Sequence, residues 1–375
     1  MPDLVAIALD GEALVHALLA VWDRGDTALP IDQRLPADAA DALVAAMGAR
    51  AVIDAAGERN VGDGAPTETG DALVMATSGS TGAPKGVVLT HQAIAASARA
   101  SHDRLGVTDG DRWLACLPLA HVGGLSVVTR ALLNDVPLTV HPKFDAAAVT
   151  LAAADGATLT SLVPTAMARI DPAIFRRIVL GGSRMPPGRP ANTVATYGMT
   201  ETASGVVYDG VPLDGVDVRI APDSEILLRG PMLLRCYRDG SSPIDADGWL
   251  HTDDAGHWAD TDDGVRLSVD GRRGDMIVTG GENVWPETVE AVLARHPLVA
   301  EVGVAGVADE TWGQRVTAFV VPTDPTHPPT VDDLRLHTRT SLPAFMAPRD
   351  VVILDALPRT NLHKIRRNIL STLAP

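Results

Sequence analysis

Thr77-Ser78-Gly79-Ser80-Thr81-Gly82-Ala83-Pro84-Lys85-Gly86 places four hydroxyls, three glycines and one lysine directly after the apolar run Leu73-Val74-Met75-Ala76. Glycine has no Cβ to block tight turns, so it brings backbone N–H groups close to an anion. Hydroxyls donate to phosphate oxygens, and a lysine adds a mobile point charge. The stretch reads as a polyphosphate grip on a strand of a layered α/β fold. Only three of the 31 basic residues are lysine, namely Lys85, Lys143 and Lys364. Arginine is the everyday surface cation of this chain, so a lysine points to chemistry. Gly86 and Val87 follow Lys85, with no Ser or Thr for Mg²⁺, which separates the loop from G-x-x-x-x-G-K-[ST]. A Ser/Gly surface linker is the plain alternative, and the lysine and the apolar runs on both sides argue against it.

Around this loop, 375 residues suffice for two or more domains with ample core. The only cysteines, Cys116 and Cys236, lie 120 positions apart, which excludes a disulfide framework and a cysteine-based zinc site and fits a reducing cytoplasm. Asp10, Glu12 and His16 interrupt the apolar N-terminal segment and no basic region precedes it, so neither a signal peptide nor membrane insertion is expected. The net charge of −16 is uneven: 20 basic against 35 acidic residues in 1–271, and 11 against 12 from Arg272 onward. An acidic body disfavours nucleic acid, and the near-neutral tail reads as a separate domain.

The alanine-rich residues 1–70 predict a helical, loosely patterned lead-in. Thr90 is a suitable N-cap for a helix over 91–105. Strand-like runs at 113–116, 136–140, 158–163 and 177–180 alternate with helical patterns at 125–134 and 146–153, which predicts an α/β layered fold. From Val216 the texture changes to short alternating strands at 216–220, 225–229 and 265–269, a small β-subdomain. After Gly271 a compact α+β pattern follows, with a helix over 286–296, strands near 302–307 and 317–321, and a helix over 331–340. The predicted organisation is a large α/β domain over 1–271 and a small mobile α+β domain over 272–375, with the hinge near 271–275.

Three further clusters carry chemistry. Tyr197-Gly198-Met199-Thr200-Glu201-Thr202 offers a carboxylate for Mg²⁺, a hydroxyl for phosphate and a ring for a base; a glutamate in a turn is more often solvated. Trp249-Leu250-His251-Thr252-Asp253-Asp254 supplies acids that could grip ribose hydroxyls or simply bond within a β-turn. The basic run ending in His363-Lys364-Ile365-Arg366-Arg367 suits a solvated helix terminus, with the scarcity of lysine favouring function at Lys364.

Together these blocks, in order and approximate spacing over residues 72–367, resemble the acyl/aryl-CoA synthetase, adenylation-domain and luciferase superfamily. Residues 77–86 resemble its phosphate loop, Leu117-Pro118-Leu119-Ala120-His121-Val122-Gly123-Gly124 its acyl-pocket block, and residues 197–202 its adenine and Mg²⁺ block. Residues 248–253 resemble its ribose block, and 271–286 with 358–367 its hinge and terminal lysine blocks. The resemblance implies an AMP-forming acid–CoA ligase: a carboxylate attacks the α-phosphate of ATP, pyrophosphate leaves, and a thiol then displaces AMP. It implies ATP and Mg²⁺, with CoA as cosubstrate. Thr77, Ser78, Gly79, Ser80, Thr81, Gly82 and Lys85 would hold the β,γ-phosphates, and Glu201 the Mg²⁺. Gly181, Gly182, Ser183 and Tyr197 would line the adenine site, Thr200 would contact the α-phosphate, and Asp253 with Arg272 would hold the ribose. Lys364 would bridge the acid and ATP, Arg273 and Gly274 would form the hinge, and His121 would act at the acyl pocket, where a merely packed histidine is the alternative. Gly274 stands where the family usually has a charged residue, and His363 where a glycine usually precedes the lysine.

Only 76 residues precede the phosphate loop, fewer than is common in the superfamily. With the stretches 117–128, 161–170 and 197–216, this resembles the o-succinylbenzoate–CoA ligases of menaquinone synthesis, especially compact high-GC bacterial forms. Ser126, Ser204 and Tyr208 are the candidate wall residues on that analogy, beside His121. A dicarboxylic substrate calls for a cation or donor cluster at its non-reacting carboxylate, which the sequence alone does not single out. The alternatives are a ligase for another aryl or medium-chain acid, and a non-catalytic nucleotide-binding regulator on the same fold. Small molecules are the expected partners, and a homodimer is allowed.

Overall fold

The computed structural model describes residues 1–78, 84–182, 188–359 and 365–374. The chain divides into two compact units, one of Met1–Arg219, Leu227–His251 and Asp260–Leu267, the other of Ile220–Ile226, Thr252–Ala259 and Ser268–Pro375.

The first unit contains two seven-stranded sheets. One runs in the order Cys236–Tyr237, Pro84–Thr90, Asp71–Ser78, Thr27–Pro30, Leu4–Ile7, Ala51–Asp54, Gly57–Asn60. The expected helical lead-in is therefore wrong in half of its content, since four of these strands come from residues 1–70. Leu4–Ile7 pairs in parallel with Thr27–Pro30 and Ala51–Asp54, and all four of its residues are buried. A four-residue apolar run gives no usable period, so alanine-rich composition biases the reading towards helix. The helices Gly11–Asp23 and Ala37–Met47 are the crossovers such parallel pairs require.

The second sheet runs Val211–Pro212, Ser204–Tyr208, Thr193–Met199, Arg177–Leu180, Leu159–Leu162, Trp113–Ala115, Leu138–Val140. Its central pairs are parallel, and one face is filled by Leu114, Leu162, Ile178, Leu180 and Phe175. His91–Leu105 forms the predicted helix, capped where Thr90 Oγ1 accepts from Ala93 N at 3.1 Å. In such sheets the carboxyl ends of parallel strands are where ligands bind. Here those ends lead into 116–121, 181–182 and 200–202, the stretches in which the sequence concentrates its candidate residues.

Asp217–Ile220, Glu225–Arg229, Leu250–Thr261 and Gly264–Arg272 form a four-stranded sheet, the expected β-subdomain. In the second unit a five-stranded sheet built on Val299–Asp309 and Gly313–Pro322 packs Val304, Val316, Ala318 and Val320 against Val289 and Leu293 of helix Pro286–Leu293 and Leu334 of helix Val331–Arg339. Arg367 lies between Asp275 (3.1 Å), Glu287 (3.0 Å) and Glu290 (2.8 Å). Burial pushes the Glu290 carboxyl up, against the lowering effect of Arg367. Removing one partner from a buried cluster of this kind strands the other charges and costs about 3–5 kcal/mol. Among the described residues no helix is long and apolar enough to cross a membrane.

Candidate active site

The phosphate stretch is a β-hairpin. Asp71–Ser78 pairs antiparallel with Pro84–Thr90, with Thr77 opposite Lys85, and Thr77 Oγ1 donates to the Lys85 carbonyl at 3.3 Å. Gly79, Ser80, Thr81 and Gly82 lie in the connection, outside the described residues, as do Ser183 and Lys364. Gly86 is fixed by packing, since a Cβ there would sit within 3.0 Å of Met47 Sδ, Arg238 Cβ and Val74 Cγ1. Lys85 Nζ stands 4.8 Å from the centroid of the Tyr237 ring. The Tyr237 hydroxyl donates to Glu201 Oε1 at 3.0 Å, so one tyrosine bridges the phosphate lysine and the expected metal carboxylate.

Glu201 belongs to a tight reversal. Thr193–Met199 ends in the 3₁₀ turn Thr200–Thr202, Ala203 takes φ +56°, and Ser204–Tyr208 returns antiparallel. Gly198 is required by close approach, because a Cβ would meet the Ser204 carbonyl oxygen at 2.2 Å. Thr202 Oγ1 donates to the Ser204 carbonyl at 2.6 Å, which leaves Thr200 and Glu201 at the head of the turn. Gly181 and Gly182 follow the neighbouring strand, whose Leu180 is in register with Ala195, and Thr196 Oγ1 donates to the Leu180 carbonyl at 3.0 Å. The structure thus gathers Gly181, Gly182, Tyr197, Thr200 and Glu201 at adjacent strand ends. No group of three or more His, Cys, Asp or Glu able to hold a metal occurs among the described residues. One carboxylate oxygen beside a polyphosphate grip still fits Mg²⁺, which keeps several waters and takes few protein ligands when phosphates complete its shell.

The acyl-pocket block leads into helix Val122–Leu133. His121 precedes it, with Nε2 3.0 Å from Asp32 Oδ2 and 3.0 Å from a terminal nitrogen of Arg34. Arg34 also binds Asp32 with two parallel bonds of 2.8 and 2.6 Å. Burial pushes the Asp32 carboxyl up, but the bonds from Arg34 and the charges of Arg34 and His121 outweigh it and hold the pKa at about 2. Inside the helix, Arg130 is 2% exposed. Its guanidinium donates to Ser161 Oγ (3.3 Å), Ser204 Oγ (2.5 Å) and the Tyr208 hydroxyl (3.2 Å), and Tyr208 in turn donates to Ser101 Oγ at 3.0 Å. No carboxylate among the described residues pairs with Arg130, and its Nε has no hydrogen-bond partner among them. Ser204 and Tyr208 therefore meet on one buried cation, whereas Ser126, one turn earlier, is occupied with the Gly123 carbonyl at 3.5 Å. His121 belongs to a different cluster.

In the second unit Arg272, expected to hold the ribose together with Asp253, pairs with the residue next to it. Arg272 Nε binds Asp254 Oδ1 at 2.8 Å, not Asp253. Asp253 has φ +58°, a left-handed backbone that turns its neighbour inward, and its N–H donates to Glu225 Oε1 at 3.0 Å. Asp253 instead lines a cavity of about 590 Å³ with Asp223, Arg273, Asn283 and Trp285. Arg273 pairs with Asp223 at 2.8 Å and Glu225 at 3.1 Å, while a Cβ on Gly274 would meet nothing within 4 Å.

Sequence reading missed Asp32, Arg34, Arg130, Tyr237 and Asp254. Arg130 was detectable in principle, as a lone charge in the apolar run Leu125-Ser126-Val127-Val128-Thr129-Arg130-Ala131-Leu132-Leu133.

Residues 2–238 match the AMP-binding enzyme family and residues 288–364 the AMP-binding enzyme C-terminal domain. The chain belongs to the AMP-binding enzyme family and, with the relatives it matches, is an AMP-forming ligase. It is 41% identical over 324 residues to the probable 2-succinylbenzoate–CoA ligase of Mycobacterium tuberculosis, covering 80% of this chain and 83% of that protein. It is 35% identical over 342 residues to the 2-succinylbenzoate–CoA ligase of Bacillus cytotoxicus, covering 80% and 69%. Its fold matches o-succinylbenzoate CoA synthetase (MenE) from Bacillus subtilis in complex with the acyl-adenylate intermediate OSB-AMP, with a TM-score of 0.86 and 30% identity over 98% of this chain and 88% of that one. The same enzyme in complex with ATP and magnesium ion matches with a TM-score of 0.83 and 28% identity, over 98% and 88%.

Proposed function

We propose that this protein activates o-succinylbenzoate with ATP to an acyl-adenylate and transfers the acyl group to CoA, the reaction named for its relatives, in menaquinone biosynthesis. The observation that carries the choice of acid is Arg130. A guanidinium this deeply buried costs several kcal/mol in desolvation unless an anion is supplied. Ser161, Ser204 and Tyr208 accept hydrogen bonds from its terminal nitrogens but bring no charge. A substrate with two carboxylates supplies what is missing: one reacts and the other neutralises Arg130. A fatty acid would leave the cation uncompensated.

The remaining roles follow the chemistry. Carboxylate and ATP are both anions, so the first step needs cations to relieve repulsion and stabilise charge at phosphorus. The hairpin with Thr77, Ser78, Ser80, Thr81 and Lys85 holds the β,γ-phosphates, and Thr200 donates to the α-phosphate. Glu201 would hold Mg²⁺, which when bound neutralises phosphate charge. Gly181, Gly182, Ser183 and Tyr197 accommodate adenine. The ribose falls to Asp254, fixed by Arg272, rather than to Asp253. His121, oriented by Asp32, lies at the entry to the acid site, and Lys364 joins the reacting carboxylate to ATP in the first step only.

We place the domain boundary at Gly271, whose φ of +156° favours glycine. Arg273 and Gly274 are the pivot. ATP and CoA as substrates point to the cytoplasm. The test is AMP release from ATP with o-succinylbenzoate, benzoate, salicylate and fatty acids in parallel, each with and without CoA. Release confined to o-succinylbenzoate supports the reading. Preference for another acid replaces the substrate, and ATP binding without AMP release from any acid makes the chain a nucleotide-binding regulator.

A further inference from the structure

Residues 234–238 lie between the two halves of the phosphate site and are bonded to both. On one side the Arg235 N–H donates to the Val88 carbonyl at 2.9 Å and the Arg238 N–H to the Gly86 carbonyl at 2.7 Å, with Tyr237 in register with Val87. On the other, the Leu234 N–H donates to the Glu201 carbonyl at 2.7 Å. Tyr237 repeats this bridge with its side chain: its ring lies under Lys85 Nζ and its hydroxyl holds Glu201 Oε1.

We infer that Tyr237 is a positioning residue for Mg·ATP, setting Glu201 for the metal and Lys85 for the phosphates through one rigid ring. The inference rests on the roles proposed above for those two residues. A carboxylate on a turn has rotamer freedom that the metal must remove on binding. A phenol O–H fixed to Oε1 removes it beforehand and would leave Oε2 to bind the cation, as partners of metal ligands commonly do. A lysine over an aromatic face is held by the ring quadrupole yet keeps all three N–H donors for phosphate, which a carboxylate partner would compete for. No carboxylate among the described residues pairs with Lys85. The two contacts use different parts of Tyr237, so they separate by substitution.

The test is ATP binding by calorimetry without acid, so that nothing turns over, across a titration of free Mg²⁺. Tyr237→Phe keeps the ring and loses the hydroxyl. It is expected to raise the half-saturating Mg²⁺ concentration about threefold to tenfold, with ATP affinity at saturating Mg²⁺ within about twofold of the parent protein. Tyr237→Leu loses both contacts and is expected to weaken ATP about threefold or more even at saturating Mg²⁺. A Tyr237→Phe protein whose Mg²⁺ midpoint equals the parent's overturns the inference. So does equal weakening at every Mg²⁺ concentration, or Tyr237→Leu indistinguishable from Tyr237→Phe. Thermal melting of both variants separates these outcomes from misfolding, and a parent protein that binds no ATP at any Mg²⁺ concentration overturns the underlying reading instead.

Discussion

Lys85 and Arg130, the cations proposed for the phosphates and for the acid, are held in opposite ways in the first unit. Lys85 is half-buried, leans on a ring at 4.8 Å and keeps its donors open. Arg130 is 2% exposed and tied to three hydroxyls. The difference suits the ligands proposed for them. A polyphosphate carries excess charge and adapts to a mobile cation in a wet hairpin, whereas choosing one acid among many needs a fixed, desolvated group that penalises substrates unable to satisfy it.

The largest effect is expected of Arg130→Met. It should reduce o-succinylbenzoate-dependent ATP–pyrophosphate exchange by about 10³ or more, as loss of a buried charge-recognising group does. Replacing a buried charge by an apolar side chain of similar length should leave melting unchanged or slightly raised. A destabilised protein with unaltered acid preference would show that Arg130 serves packing alone. Lys364→Ala comes next, with adenylation slowed by about 10²–10³ and thiolation from supplied acyl-adenylate slowed far less. Equal loss in both half-reactions would contradict a role confined to the first step. Asp254→Ala should raise the ATP KM by about tenfold and Asp253→Ala by less, which separates the two candidate ribose carboxylates. In the second unit Glu290→Ala should destabilise by about 3 kcal/mol in denaturant titration, because Arg367 loses a buried partner.

The smallest effect is electrostatic and scaffold-wide. Burial pushes the Asp111 carboxyl up, and the bonds from Arg176, Thr158 and Thr108 override it, lowering the pKa from 3.8 to about 2. A depressed folded pKa contributes stability above the unfolded value and loses it as pH falls through the folded one. Asp111→Asn should therefore flatten the loss of melting temperature between about pH 4 and pH 2, while a parallel shift at all pH values would show that only packing was disturbed.

The phosphate hairpin and the helix His91–Leu105 could be read from the chain because their signals are local: glycines, a lysine and a capping threonine. The strands of residues 1–70 could not, since runs as short as Leu4–Ile7 become strands only through parallel partners more than twenty residues away. Arg130 was visible as a lone charge in an apolar helix, but its partners were hidden by the same limit, because Ser161, Ser204 and Tyr208 come from two distant strands. Asp254, the carboxylate proposed above for the ribose, lies one position from the one expected. Which of two adjacent aspartates faces inward depends on the left-handed backbone at Asp253, a conformation aspartate tolerates without announcing it.

The most direct test is exchange measured with o-succinylbenzoate and with the monoacid analogue that keeps the reacting carboxylate and lacks the other, in the parent protein and in Arg130→Met. The account predicts a strong preference for the diacid in the parent and its collapse towards parity in the variant. An unchanged preference in Arg130→Met, with both acids slowed alike, would contradict this role of Arg130.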